Sequence, residues 1–111
     1  MVDLPVIEAI QRYLRVLPGE GIHPTKAVLF GSFARGDARE TSDIDVMVIA
    51  PEFDGLRDRR LIERLWIARG LADIRIEPIP CGEKEWETEG GRPILDVARS
   101  EGVAIGFAVS E

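Results

Sequence analysis

The sequence predicts one small domain of α/β (α+β) class, with a mixed or antiparallel sheet of about four to five strands and helices packed on one face. Apolar runs of strand length alternate with segments whose apolar residues recur at helical spacing. The link between the first two predicted strands is too short for a full helical crossover between parallel strands. The 111 residues suffice for one hydrophobic core but not for two, so residues 1–111 are expected to form a single domain.

The first half of the chain is predicted to contain a helix and two strands. Apolar residues recur every three or four positions in the helix, Asp3 is a plausible N-cap, and Pro18-Gly19 ends the element. The turn segment GSFARGD separates two apolar runs, the second of which is rich in β-branched residues. The predicted bounds are 3–17 for the helix and 26–30 and 43–50 for the strands.

The second half is predicted to alternate between helices and strands. The segment DIRIEPIP places Ile74 and Ile76 on a buried face and Asp73 and Glu77 on a polar one. Pro93 suits the first turn of the last helix. The apolar terminal strand could pair with another chain, as in a homodimer, if it lies at an edge. The predicted bounds are 55–69 for a helix, 73–80 for a strand, 91–102 for a helix and 103–109 for a strand.

Composition narrows the classes of function. The net charge is −6, with 20 acidic and 14 basic residues, which argues against a broad nucleic-acid-binding surface. Cys81 is the single cysteine, so an intrachain disulfide is impossible and a cytoplasmic location is expected. The N-terminal sequence does not resemble a signal peptide, and no apolar run approaches the roughly 20 residues that span a bilayer, so no membrane association is expected.

Asp43 and Asp45 are the first candidate functional residues. They lie two positions apart on a predicted strand, so both side chains point to the same side, roughly 7 Å apart. Such a pair is harmless when solvated, and it is stabilised when it shares a divalent cation. Mg²⁺ prefers carboxylates, water and substrate phosphates to a closed protein cage. The pair therefore suits Mg²⁺, with an ordinary solvated strand end as the alternative.

The Gly-Ser turn before these aspartates suits an anion. Gly31 permits a sharp turn and a close backbone approach, and Ser32 offers a hydroxyl at the start of a short helical turn that Gly36 ends. Backbone N–H groups at such a start favour anions. Arg35 could contact phosphates, although a solvated loop charge is the commoner role. An anion site beside a cation site matches a nucleoside triphosphate with bound Mg²⁺.

Two-metal phosphoryl transfer usually needs a third carboxylate, which orients or deprotonates the attacking hydroxyl. It should come from a neighbouring strand with the same facing. Glu77 and Asp73 both qualify, and Glu77 is favoured because it sits deeper in the strand, next to Pro78.

The pattern of Gly-Ser, ten residues and then Asp-Ile-Asp resembles the signature of the DNA polymerase beta-like nucleotidyltransferase superfamily. The short chain looks like the minimal nucleotidyltransferases of bacteria and archaea. The commoner third carboxylate of that superfamily is Asp, whereas RIEPIP resembles the members that carry Glu. The residues that match the signature and its surroundings are Gly31, Ser32, Gly36, Ser42, Asp43 and Asp45.

The resemblance implies a nucleotidyltransferase fold and transfer of a nucleoside monophosphate from NTP, with ATP as the expected donor, to a hydroxyl acceptor. It implies that Asp43, Asp45 and Glu77 are catalytic and hold two Mg²⁺ ions. Many minimal members are encoded beside a HEPN-type helical partner, and in such pairs the nucleotidyltransferase can act as the antitoxin. The residues expected to bind the nucleotide are Gly31, Ser32, Arg35, Gly36 and Ser42.

Two other functions stay open. The domain could be a catalytically weak binding module that neutralises a helical partner by contact, since little chain is left for an acceptor-binding domain. It could also modify a small molecule such as an aminoglycoside, with a dimer completing the acceptor site. The sequence leaves open the acceptor, the base preference, the oligomeric state and whether the isolated domain turns over.

Overall fold

The computed structural model describes residues 2–55 and 58–107, and this part of the chain forms one four-stranded sheet with five α-helices. Single turns of 3₁₀ helix follow several elements, at Leu17–Glu20, Pro51–Phe53 and Ala68–Leu71. The main elements are α1 Leu4–Val16, β1 Lys26–Phe30, α2 Ser32–Arg35, β2 Ile44–Ile49, α3 Arg59–Ile67, β3 Ile76–Cys81, α4 Glu83–Glu87, α5 Pro93–Glu101 and β4 Val103–Ala104.

The sheet is mixed, which is one of the two predicted arrangements, with the strand order β3-β2-β1-β4. The central pair β1 and β2 is antiparallel, β3 runs parallel to β2, and β4 pairs antiparallel with β1. The end of β1 therefore meets the starts of β2 and β3 at one edge of the sheet. This edge, called the site edge below, brings the Gly-Ser turn beside the Asp-Ile-Asp segment.

Helices cover both faces of the sheet, so the expectation of helices on one face is wrong. The face that carries Leu29 and Val46 packs against α1 and α3. The opposite face carries Val28, Phe30 and Met47, and it packs against α5. The physical reason is that four consecutive residues of β1, from Ala27 to Phe30, are all buried, which requires cover on each side.

The strand β3 begins later than predicted. Ile76 is buried, but Ile74 is 74% exposed rather than sharing its buried face. The cause is a turn at Asp73, whose side chain accepts a hydrogen bond from the N–H of Arg75 at 2.9 Å and whose carbonyl accepts one from Ile76. The alternation in DIRIEPIP therefore marks a strand only from Ile76 onward.

The other element bounds differ by small amounts or fall partly outside the described residues. Asp3 is the N-cap residue of α1, but its side chain makes no capping hydrogen bond. The predicted helix 55–69 is observed as α3, and residues 56–57 of the prediction lie outside the described part. The predicted strand 103–109 is shortened to β4, although the N–H of Ile105 still bonds to the carbonyl of Ala27; residues 108–109 lie outside the described part.

The helix α4 was not predicted, and it depends on a distant cap. The carboxylate of Asp54 accepts hydrogen bonds from the N–H groups of Glu83 (3.0 Å) and Lys84 (3.1 Å). Gly82 lies against Asp54 so closely that a side chain there would collide with the carboxylate. A cap that comes from 29 residues away leaves no local signal in the sequence.

Tyr13 ties α1 to α3 across the core. Its ring is fully buried, its hydroxyl donates to the carbonyl of Leu65, and burial raises the pKa of the phenol. We expect Tyr13→Phe to lower the free energy of unfolding by about 1–3 kcal/mol, because the carbonyl is left buried without its partner. Urea titration measures the change. Thr88→Val removes an exposed hydroxyl bond to Lys84 and should cost about 0.5 kcal/mol or less. Equal costs would contradict the role of Tyr13.

In the described part of the chain, every helix is too short or too polar to cross a lipid bilayer. The expectation that residues 1–111 form a single domain stays a prediction.

Candidate active site

Three carboxylates that the sequence singled out come together at the site edge. Asp45 lies in β2 opposite Phe30 of β1 and opposite Glu77 of β3. Neighbouring strands are about 4.8 Å apart, so Asp45 and Glu77 are side by side. Asp43 precedes β2 by one residue and points to the same side as Asp45, because side chains alternate along the strand.

Asp43 and Glu77 are in direct contact. The carboxyl of Asp43 lies within hydrogen-bonding reach of Glu77, and this contact, with burial and the charges of Asp43 and Asp45, raises the pKa of Glu77. The two carboxyl groups therefore lie next to each other, as ligands of one cation must.

Asp45 is half-buried, and its carboxylate turns toward the Gly-Ser turn. Burial raises the pKa of Asp45, and the negative charge of Asp43 raises it further. Gly31 lies so close to Asp45 that a Cβ on Gly31 would collide with Oδ2 and stand 3.2 Å from Cγ. The aspartate and the glycine turn thus form one tightly packed unit.

Gly31 has backbone angles that only glycine adopts without strain, with φ at 79° and ψ at −155°. Its carbonyl accepts hydrogen bonds from the N–H groups of Ala34 and Arg35, both 3.0 Å long. These bonds start the single helical turn α2, in which Ser32 is the first residue. The sharp turn expected at Gly31 is therefore present, next to the carboxylates.

The other expected nucleotide-binding residues lie around the same turn. Gly36 ends α2 with φ at 84° and donates to the carbonyl of Ser32. The guanidinium of exposed Arg35 pairs with Asp37, whose hydrogen bond is the main cause of a raised Arg35 pKa. The Ser42 hydroxyl accepts from the Arg39 N–H at 2.7 Å, which closes the loop before β2.

Asp73, the alternative third carboxylate, lies elsewhere. It precedes β3 and forms a two-point ion pair with the guanidinium of Arg75, at 3.0 Å and 2.7 Å. The Arg75 hydrogen bond holds the pKa of Asp73 below its usual value, and Arg12 of α1 adds to the effect. The Asp73 carboxylate therefore lies near α1, whereas the Glu77 carboxylate faces Asp43 and Asp45.

Glu101 is a site residue that the sequence analysis missed. It is the last residue of α5, and its Oε2 accepts from the Gly31 N–H at 2.6 Å and from Nη1 of Arg35 at 3.0 Å. It reaches the site edge because α5 leads directly into β4, which pairs with β1. A carboxylate at a helix C-terminus is unfavourable toward the helix dipole, and this was the available signal that Glu101 needs a partner.

The donor set fits Mg²⁺ in its chemistry. Asp43, Asp45 and Glu77 offer carboxylate oxygens, which Mg²⁺ prefers, and all three face one open edge. Within residues 2–55 and 58–107, no three His, Cys, Asp or Glu side chains already stand in a metal-binding arrangement. The Asp45 carboxylate lies against Gly31, while Asp43 and Glu77 lie next to each other. A cation would need the Asp45 carboxylate to turn toward this pair.

Two comparisons with solved structures support the fold. A putative nucleotidyltransferase from Sulfolobus solfataricus superposes with a TM-score of 0.62 at 18% identity, covering 95% of this chain and 87% of that one. A toxin-antitoxin structure with AMP-PNP superposes with a TM-score of 0.60 at 20% identity, covering 92% and 73%. At these identities the likeness establishes a shared fold.

Sequence comparison gives the family. A Methanocaldococcus jannaschii protein, named a putative protein adenylyltransferase, is 40% identical over 55 residues, which are 49% of this chain and 56% of the relative. The match thus spans about half of the relative's length. The nucleotidyltransferase domain family matches residues 8–95, a stretch that holds the Gly-Ser turn and all three carboxylates. On this match, the chain belongs to the nucleotidyltransferase domain family.

Proposed function

We propose that this chain is a Mg²⁺-dependent nucleotidyltransferase that moves a nucleoside monophosphate from a nucleoside triphosphate to a hydroxyl group. The observation that carries the proposal is the meeting of Asp43, Asp45 and Glu77 beside the Gly31 turn. Family membership supports the reaction class. The name of the Methanocaldococcus jannaschii relative, a protein adenylyltransferase, supports ATP as the donor and a protein as the acceptor.

In the proposed reaction, the acceptor oxygen attacks the α-phosphorus of the nucleotide. The bond from this phosphorus to the bridging oxygen breaks, and pyrophosphate leaves with the bond electrons. Glu77, which lies opposite Asp45 on the neighbouring strand, accepts the proton of the acceptor hydroxyl. Asp43, Asp45 and Glu77 would hold the metal ions, for which we expect two Mg²⁺. Bound there, Mg²⁺ supplies positive charge for the phosphate oxygens.

The glycine turn is the proposed binding site for the phosphates. The Ser32 hydroxyl and the backbone of Gly31 lie next to the carboxylates, and Arg35 brings a guanidinium to the same turn. Gly36 permits the left-handed backbone that ends α2, and Ser42 holds the loop between the turn and β2. The phosphate site and the metal site are thus adjacent, as a nucleotide with bound Mg²⁺ requires.

The proposed acceptor is a hydroxyl of a HEPN-type helical partner protein, which the chain would modify as an antitoxin. The structural neighbour described as a toxin-antitoxin with AMP-PNP supports this setting and the use of ATP. The resemblance to minimal nucleotidyltransferases, seen in the Gly-Ser and Asp-Ile-Asp spacing, supports it independently.

The test is nucleotide transfer with and without metal. The chain is incubated with a helical protein encoded beside it and with each labelled nucleoside triphosphate, and intact mass reports the added nucleotide. We expect transfer with Mg²⁺, its loss when EDTA is in excess, and its return when Mg²⁺ is restored, because the carboxylates then regain their cation. A mixture without the chain is the control. Equal transfer in EDTA, or no transfer from any nucleotide, would contradict the proposal.

A second candidate is a binding module with weak or no catalysis. The observation that favours it is Glu101, which already occupies the N–H of Gly31 and the guanidinium of Arg35. Such a module would neutralise its helical partner by contact. Co-purification with the partner that survives Asp43→Asn with Asp45→Asn, together with no metal-dependent transfer by the parent chain, would favour this candidate.

A further inference from the structure

The carboxylate of Glu101 occupies the turn that is proposed to bind the phosphates of the nucleotide. A single oxygen, Oε2, accepts from the Gly31 N–H at 2.6 Å and from the Arg35 guanidinium at 3.0 Å. A backbone N–H and a guanidinium that converge on one oxygen are donors that also suit a phosphate oxygen. The side chain of Glu101 is 24% exposed, so solvent and ligands can reach it.

Glu101 lies among like charges. It adds negative charge beside Asp45, in a site that already contains Asp43 and Glu77. It also ends α5, where the helix dipole disfavours a carboxylate. Within the described residues, the hydrogen bonds of its side chain are those to Gly31 and Arg35. The contact therefore depends on two donors, either of which a competing anion can take.

We propose that Glu101 is an internal competitor of the nucleotide, whose carboxylate holds the Gly31 turn and Arg35 until a phosphate group displaces it. This inference rests on the proposed function and adds a control on nucleotide affinity. The substrate remains the triphosphate with its metal. While Glu101 occupies the turn, a molecule cannot bind the nucleotide there. The apparent dissociation constant of the nucleotide therefore rises by the inverse of the fraction of molecules in which the turn is free.

The surrounding contacts allow the side chain to leave while the turn stays in place. Arg35 keeps a second partner, since its Nε lies 3.3 Å from Oδ2 of Asp37. The end of α5 is anchored by the Gly102 N–H bond to the Ala98 carbonyl, and Gly102 packs tightly against Val28. Release of the turn therefore requires rotation of the Glu101 side chain and leaves α5 where it is.

Calorimetric titration of the full chain with ATP and Mg²⁺, in the absence of an acceptor, tests the inference. Glu101→Gln keeps an oxygen that can accept from Gly31 and removes the charge, while Glu101→Ala removes both. We expect the dissociation constant to fall about tenfold in Glu101→Gln and at least as much in Glu101→Ala, with a smaller difference at high salt. Glu8→Gln, an exposed change on α1, controls for the altered net charge.

The outcomes separate the inference from the proposed function. Tighter binding in both Glu101 variants, with Glu8→Gln unchanged, supports competition. Equal binding in all four proteins overturns the inference and leaves the proposed function in place. Weaker binding in the Glu101 variants, at unchanged thermal stability, overturns it in favour of Glu101 as a positioning residue for the turn. No binding in any protein overturns both proposals.

Discussion

Asp45→Asn and Glu77→Gln are each expected to lower kcat/KM for nucleotide transfer by about 10³-fold. Asn and Gln keep the shape of the side chain but remove the charge proposed to hold a cation and the basic oxygen proposed to accept a proton. Asp45 and Glu77 are register partners on β2 and β3, so both changes act at the same point of the site edge. Initial rates measured over a series of nucleotide concentrations give the effect. Folding should persist, because removing one of several crowded like charges relieves repulsion.

Asp73→Asn is the matched control for Glu77→Gln. It makes the same chemical change in the other carboxylate that the sequence left open as the third catalytic position. Asp73 pairs with Arg75, whose side chain is 43% exposed, and lies away from Asp43 and Asp45, so we expect transfer to be retained and stability to fall by about 1 kcal/mol. A loss of transfer in Asp73→Asn that matches the loss in Glu77→Gln would contradict the assignment of Glu77.

Gly31→Ala is expected to lower transfer by about 10²-fold or more and stability by about 1–3 kcal/mol. Its backbone lies in a region that alanine adopts only with strain, and the new Cβ would collide with the Asp45 carboxylate. Either the turn or Asp45 must move, and both belong to the proposed site. Transfer rates and urea titration, measured on the same preparation, give the two effects.

Gly90→Ala separates backbone strain from the collision. Gly90 also has a positive φ, 82°, but no heavy atom lies within 4 Å of the position of its missing Cβ. The Gly90 variant should lose some stability and keep its transfer activity. If both glycine variants lost activity equally, the contact between Gly31 and Asp45 would be irrelevant to the reaction.

Much of the local structure was predictable because its causes are local. The strand 26–30 is observed with its predicted bounds, since a short apolar run ends there at a glycine turn. The antiparallel pairing of β1 and β2 was predictable because the short link after Phe30 rules out a parallel crossover. The bounds of β3 were predicted less well, because alternation alone cannot reveal that Asp73 bonds its own neighbouring backbone.

The functional roles of Asp43, Asp45 and Glu77 stay predictions, but the reason for expecting them differs between residues. The roles of Asp43 and Asp45 are expected from the two-residue period of a strand and from their spacing to the Gly-Ser turn. Glu77 was one of two choices, and the parallel pairing of β3 with β2 is what places it beside Asp45. The carboxylate of Asp73 is directed to Arg75 by a turn that the sequence pattern did not distinguish from strand.

The sequence alone determined most of the elements, the antiparallel pairing of β1 and β2 and the residue types at the glycine turn, because spacing and turn chemistry act over a few neighbouring residues. The tertiary structure alone decided that helices cover both faces and that Glu101 reaches Gly31, 70 residues away. It also decided that Asp54 caps α4. Contacts of this kind are set by how strands pair and helices pack. The contact of Glu101 with Gly31 and Arg35 exists only in the folded chain, so the sequence pattern around Glu101 does not reveal it.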